Sequence, residues 1–157
     1  MTTTLVEPVC HVCGIPADAG YFDSSSIVAA PNATNSEVVL ASFKVHPLYC
    51  GVLQYFAQFT DAHALNPDQV QTPDIEWQIR SDGQPLAPWL RFNHIINPWG
   101  INGFPIHVRL SEDCLLEFVA RFVPPAGGSI LLVLTPPTLV GGRLLGRYWY
   151  NSAFGGH

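Results

Sequence analysis

From Glu37 onward, apolar residues recur at every second position, and short breaker-rich stretches separate the runs. Val38–Val45 is a β-rich run that stops at His46-Pro47. Gly51–Thr60 alternates, with Leu53, Tyr55, Ala57 and Phe59 on one face and Gln54 and Gln58 on the other. Ile75, Trp77 and Ile79 alternate with Glu76, Gln78 and Arg80, and Asp82-Gly83 follows as a hairpin turn. Trp89–Phe92 reads as a short return strand. Ile106, Val108 and Leu110 alternate with His107 and Arg109; Leu116, Phe118, Ala120 and Phe122 alternate with Glu117 and Arg121. Ile130–Leu134 is apolar on both faces, the mark of a buried central strand or an interface strand, and Arg143–Tyr150 is the last run. Period two with a polar face signals half-buried strands. Roughly eight such runs at short spacing predict an all-β fold, a two-sheet antiparallel sandwich of jelly-roll type.

Residues 1–36 differ. Small and turn-forming residues dominate in Asp23-Ser24-Ser25-Ser26 and in Ala29–Ser36, so the stretch reads as an extended N-terminal arm on a sandwich spanning 37–157. Such an arm is ordered by docking on its own domain or on a neighbour.

Composition changes the picture in one respect. Hydrophobic residues make up 48% of the chain and charged residues 12%, the latter about half the usual share. Some weakly hydrated surface is therefore a core face or an interface with other protein. The formal net charge is -5, and one lysine (Lys44) and six arginines, from Arg80 onward, form no basic stripe. Nucleic acid and anionic membranes are excluded as partners on that ground. No apolar window reaches the roughly 18 residues of a spanning helix. Met1–Pro8 has neither a basic nor an apolar signal-peptide region, so synthesis and folding in a cytoplasm are expected.

Candidate chemistry is sparse. Cys10 and Cys13 form a Cys-x-x-Cys around His11, half of a zinc site that Cys50, Cys114 or a histidine would complete. The alternative, free thiols without a cofactor, is the ordinary state in a cytoplasm, with Cys50 and Cys114 acting as small hydrophobes. The six histidines are isolated, and no Gly-x-Ser-x-Gly elbow or phosphate loop occurs. Asp74 with Glu76 and Glu112 with Asp113 read as solvated turn and strand-edge carboxylates. A non-enzymatic protein is expected.

The aromatics remain. Tyr148, Trp149 and Tyr150 are consecutive, so both faces of the last strand carry rings, and one side must meet a second sheet or another subunit. Trp89 and Trp99 flank loops and join these three as candidate interface residues; the competing reading for Trp89 and Trp99 is a platform for sugar rings.

Trp77-Gln78-Ile79-Arg80-Ser81-Asp82-Gly83-Gln84-Pro85, then Val123-Pro124-Pro125-Ala126-Gly127-Gly128 and Gly142-Arg143-Leu144-Leu145-Gly146-Arg147-Tyr148-Trp149-Tyr150, set a layout over the last three quarters of the chain. That layout resembles small jelly-roll structural proteins in the virions of tailed bacteriophages. The resemblance implies a capsid decoration (cement) protein at capsomer junctions, or a neck, collar or tail-associated adaptor. It also implies a homo-oligomer that binds the major capsid protein or other virion proteins and resides in the virion.

Overall fold

The computed structural model describes residues 14–31, 35–60, 75–89, 104–122 and 139–151. They form eight strands: β1 (Gly20–Ala29), β2 (Glu37–Lys44), β3 (Tyr49–Thr60), β4 (Ile75–Ser81), β5 (Gln84–Pro85), β6 (Phe104–Leu110), β7 (Leu115–Phe122) and β8 (Leu139–Tyr150). One sheet has the order β1-β8-β3-β6 and the other β2-β7-β4-β5, and every pairing is antiparallel. Each connection except β4–β5 passes from one sheet to the other, which is jelly-roll connectivity. The expected two-sheet sandwich is the observed architecture.

Residues 45–48, 82–83 and 111–114 join strands by tight turns at one end of the sandwich.

Within the stretch read as an arm, Gly20–Ala29 is β1, paired with β8 from Gly20↔Tyr148 to Ala29↔Leu139. Its serines look like turn residues in sequence, but two have partners across the sandwich. Ser24 Oγ accepts a hydrogen bond from Ser42 N at 3.1 Å, and Ser26 Oγ donates to Leu40 O. The register of β2 shifts between Val39 and Ala41, and both Leu40 and Ala41 are buried. Inward-facing hydroxyls thus stitch β1 to β2 along an edge where apolar side chains would leave backbone groups unsatisfied.

β3 corrects the expected face. Leu53 is buried as its alternation predicts, but Tyr55 and Phe59 are exposed, and Phe56 is the buried ring. Against β8, two steps of β3 from Leu53 to Tyr55 answer one step from Gly146 to Leu145, so Gln54 is the extra residue of a bulge; the register with β6 shifts at the same place. With a side-chain period of two, one extra residue exchanges inside and outside for everything after it.

The Asp82-Gly83 turn is as expected: both residues have positive φ (51° and 75°), the two-residue hairpin geometry whose twist matches the strands. Asp82 Oδ1 accepts from Leu115 N at 2.8 Å, tying the hairpin to β7. This turn reverses the chain at once, and Gln84–Pro85 returns beside β4. Pro85 has no N–H to continue a ladder. Trp89 lies outside any strand, and Leu90–Phe92, like Ile130–Leu134, lies outside the described residues. β8 begins at Leu139, before the expected Arg143, because its first residues continue the ladders with β1 and β3.

The core lies between the sheets. Phe118, Leu40, Leu53, Ile75, Leu116 and Leu144 are fully buried, and Trp77 is buried as the pattern predicts. Phe22 stacks on Phe43 with centroids 4.0 Å apart. The rings fit because β8 presents bare backbone to them. A Cβ at Gly142 would meet Phe118 and would lie 2.8 Å from Leu40; one at Gly146 would meet Val52 O and would lie 2.5 Å from the Phe22 ring.

Gly142→Ala is therefore expected to destabilise the fold by about 1–3 kcal/mol through overpacking, read as a lower urea midpoint. An unchanged midpoint would show that Phe118 steps aside freely.

Candidate interaction surface

The outward face of the β1-β8-β3-β6 sheet is partly covered by the chain itself. Ahead of β1, Ala19 N donates to Pro16 O, and Ala19 O accepts from Arg147 Nε and Nη2 at 3.2 and 2.8 Å. Ile15 and Ala19 pack with Val52 and Trp149 in a small second core. Arg147 also stacks on Tyr21, 4.1 Å from the ring centroid. Residues 14–19 thus run across β8 and β3 toward β6, held by one arginine from the central strand.

This explains the aromatic run. Tyr148 faces the main core and meets Phe43 and Tyr49 at 5.8 and 5.9 Å. Trp149 points the other way, and its partner is this chain's own Ile15 and Ala19. Tyr150 is 47% exposed, edge-on to Tyr49.

Beyond the crossing lies a cleft of about 160 Å³. Its lining includes Gly14, Cys50, Val52, His107, Arg109 and Trp149. Burial pushes the Cys50 thiol up from its ordinary pKa. Cys10 and Cys13 lie outside the described residues, although Gly14, next in the chain, lines this cleft. Cys50 and His107 do not converge. Gly51 is opposite Leu110, so the two side chains sit four positions apart in register, about 13 Å at 3.3 Å per residue. No group of three metal-ligating side chains exists among the described residues. Cys114 is buried at 3.0 Å from Ser81 Oγ.

Toward the other end of the same face, beyond the exposed Arg143–Asp23 ion pair, apolar side chains gather. Ile27 and Phe59 flank Gly141, their strands paired on either side of it. Ile27 is 61% exposed, and Phe59, Leu139 and Tyr55 are also exposed. The bulge in β3 places Tyr55 and Phe59 there. Sequence alternation alone assigns them to the core, and only recognition of Gln54 as an extra residue could have exposed them.

The outward face of the second sheet is polar and paired. Arg121 stacks on Trp89 at 4.0 Å from the ring centroid, and Arg80 lies 5.2 Å from it. Arg121 bridges to Glu76 and Arg80 to Glu37, each at 2.8 Å, and Gln78 Nε2 donates to Ala87 O. Trp89 is thus engaged by guanidinium groups. Trp99 lies outside the described residues. Of the acidic pairs, Glu76 serves this network and Glu112 braces a turn through Leu48 N, while Asp74 lies outside the described residues.

No protein-family model and no curated protein matches the chain.

Two expectations follow. Trp89→Ala removes the stacked ring from both arginines and should cost about 1–2 kcal/mol, measured by denaturant unfolding; no change would mean that the arginines re-pair without it. Separately, hydrogen bonds from Arg143 hold the Asp23 carboxyl below its usual range, and those from Arg80 do the same for Glu37. A folded pKa below the unfolded one stabilises at higher pH, and that gain is lost as pH falls through the folded value. The pairs should therefore support the fold above about pH 4 and fade below it. Both are exposed enough that each contributes only about 0.2–1 kcal/mol. Urea titrations from pH 6 downward should show a smaller loss of stability for an Arg80→Ala/Arg143→Ala protein than for wild type.

Proposed function

We propose that this jelly roll is a non-enzymatic structural protein of a bacteriophage virion: a decoration protein that binds at capsomer junctions and stabilises the head. The observation that carries this reading is the exposed apolar cluster of Ile27, Phe59 and Leu139 on β1, β3 and β8, with Tyr55 exposed on the same face across the Arg143–Asp23 pair. Apolar side chains gathered on one sheet face suit a protein–protein contact. Burying a side chain such as Ile27 or Phe59 contributes about 1.5–3 kcal/mol. Repetition over a symmetric lattice multiplies modest contacts into stable attachment. The resemblance of the Trp77–Pro85 and Gly142–Tyr150 segments to virion jelly rolls supports the same reading, and the low charge suits a surface that meets neutral protein.

The test is addition of purified protein to heads from phage that lack it, with co-sedimentation and electron microscopy. Wild type should decorate the heads and raise their resistance to heat. Ile27→Asp/Phe59→Asp should bind at least tenfold more weakly, with unchanged circular dichroism and melting temperature, since both side chains are already in solvent. Wild-type protein that associates with no head, neck or tail assembly would sink the proposal.

A further inference from the structure

Among the described residues, four non-glycine residues have positive φ: Asn35, Leu48, Asp82 and Asp113. Three are of the types whose short polar side chains tolerate the left-handed region; leucine is not. Leu48 has φ 68° in the turn between β2 and β3, closed by Tyr49 N donating to His46 O at 3.1 Å. Its peptide groups are braced from two sides. Leu48 N donates to Glu112 Oε2 at 3.1 Å, and Leu48 O accepts from Asn151 N at 2.7 Å. These bonds use backbone alone, so asparagine or glycine would make them with less strain. The leucine side chain gives the core little, being 46% exposed, while Val45 anchors the same turn with complete burial. A strained residue whose apolar side chain is half exposed is a candidate for contact outside the molecule. Around this apolar tip stand exposed carboxylates, Glu112 and Asp113.

The chain also carries a receptor for such a tip. The cleft on the outward face of the first sheet has an apolar floor of Ile15, Val52, Leu110 and Trp149 and a basic rim of His107 and Arg109. Arg109 makes no ion pair among the described residues. Cavities of about 150 Å³ accept a molecule the size of benzene, so a cleft of about 160 Å³ takes one branched aliphatic side chain. Shape and charge match in opposite senses: an acidic-rimmed knob and a basic-rimmed socket.

We infer that Leu48 of one copy seats in the Ile15/Val52/Trp149 cleft of a second copy, with Glu112 and Asp113 facing the partner copy's His107 and Arg109. Knob and socket are neighbours on one molecule, since Leu48 precedes by two residues the Cys50 that lines the cleft. Reciprocal insertion across a two-fold axis therefore closes the contact as a dimer rather than an open chain. The cleft and the Ile27–Phe59 cluster lie toward opposite ends of one sheet face. The inference goes beyond the virion reading and does not depend on it.

Sedimentation equilibrium of the full chain from micromolar to near-millimolar concentration tests it. Wild type should dimerise, more weakly at high salt. Leu48→Asn should keep or raise the melting temperature yet dimerise about tenfold more weakly or not at all. Arg109→Glu should weaken the dimer most at low salt and reverse its salt dependence. Wild type that stays monomeric, Leu48→Asn that dimerises like wild type, or Leu48→Asn that melts earlier would each overturn the inference. Head binding measured in parallel separates the two ideas: monomeric wild type that decorates heads removes only this one.

Discussion

The close approach of aromatic rings to bare backbone on β8 sets the spacing of the two sheets. Phe118 reaches Gly142 from the second sheet, and Phe22 lies against Gly146 within the first. Sheets normally pack about 10 Å apart because side chains from both faces interdigitate. Here the central strand of one sheet yields that space at two positions, and large rings from β7 and β1 fill it. β8 pays no penalty in pairing, since it is hydrogen-bonded on both sides over its length. Everything displayed on its outward face, from Leu139 to Trp149, inherits its position from this packing.

The fold was legible in the chain because a half-buried strand writes its inner face at every second residue. β6 follows that rule residue by residue, β4 and β7 follow it except at the buried Gln78 and Val119, and Asp82-Gly83 names its own turn. Legibility fails where satisfaction is non-local. The serines of β1 read as loop because their partners, Leu40 O and Ser42 N, belong to the opposite sheet. The bulge at Gln54 is invisible to a pattern that assumes uniform period, although it decides which of Tyr55 and Phe56 enters the core. Both are failures of local reasoning about long-range contacts, the usual limit of sequence pattern.

The candidate site was less legible than the fold for the same reason. The aromatic run at the end of β8 correctly signals that both faces are occupied, yet it cannot say by what. Trp149 is satisfied by Ile15, more than a hundred residues away in the chain. Trp89 has the composition of an exposed platform but serves as the lid of an arginine–carboxylate network. Exposed apolar surface instead collects at Ile27, Phe59 and Leu139, three side chains from three strands that no linear motif unites.

The pairing of β1 with β8 also orders events in time. The first strand and the segment before it depend on Arg147, Gly142 and Trp149 for their contacts, so the first sheet cannot close until the last strand exists. During synthesis the β1 region leaves the ribosome without its partner, while β2, β3 and β4 follow without the strands that separate them, β7 and β8. Long-range β pairing is slow because loop closure must precede any reward. A chain with this connectivity closes its first sheet only once β8 has emerged, and through that interval its apolar strand faces are open to neighbours.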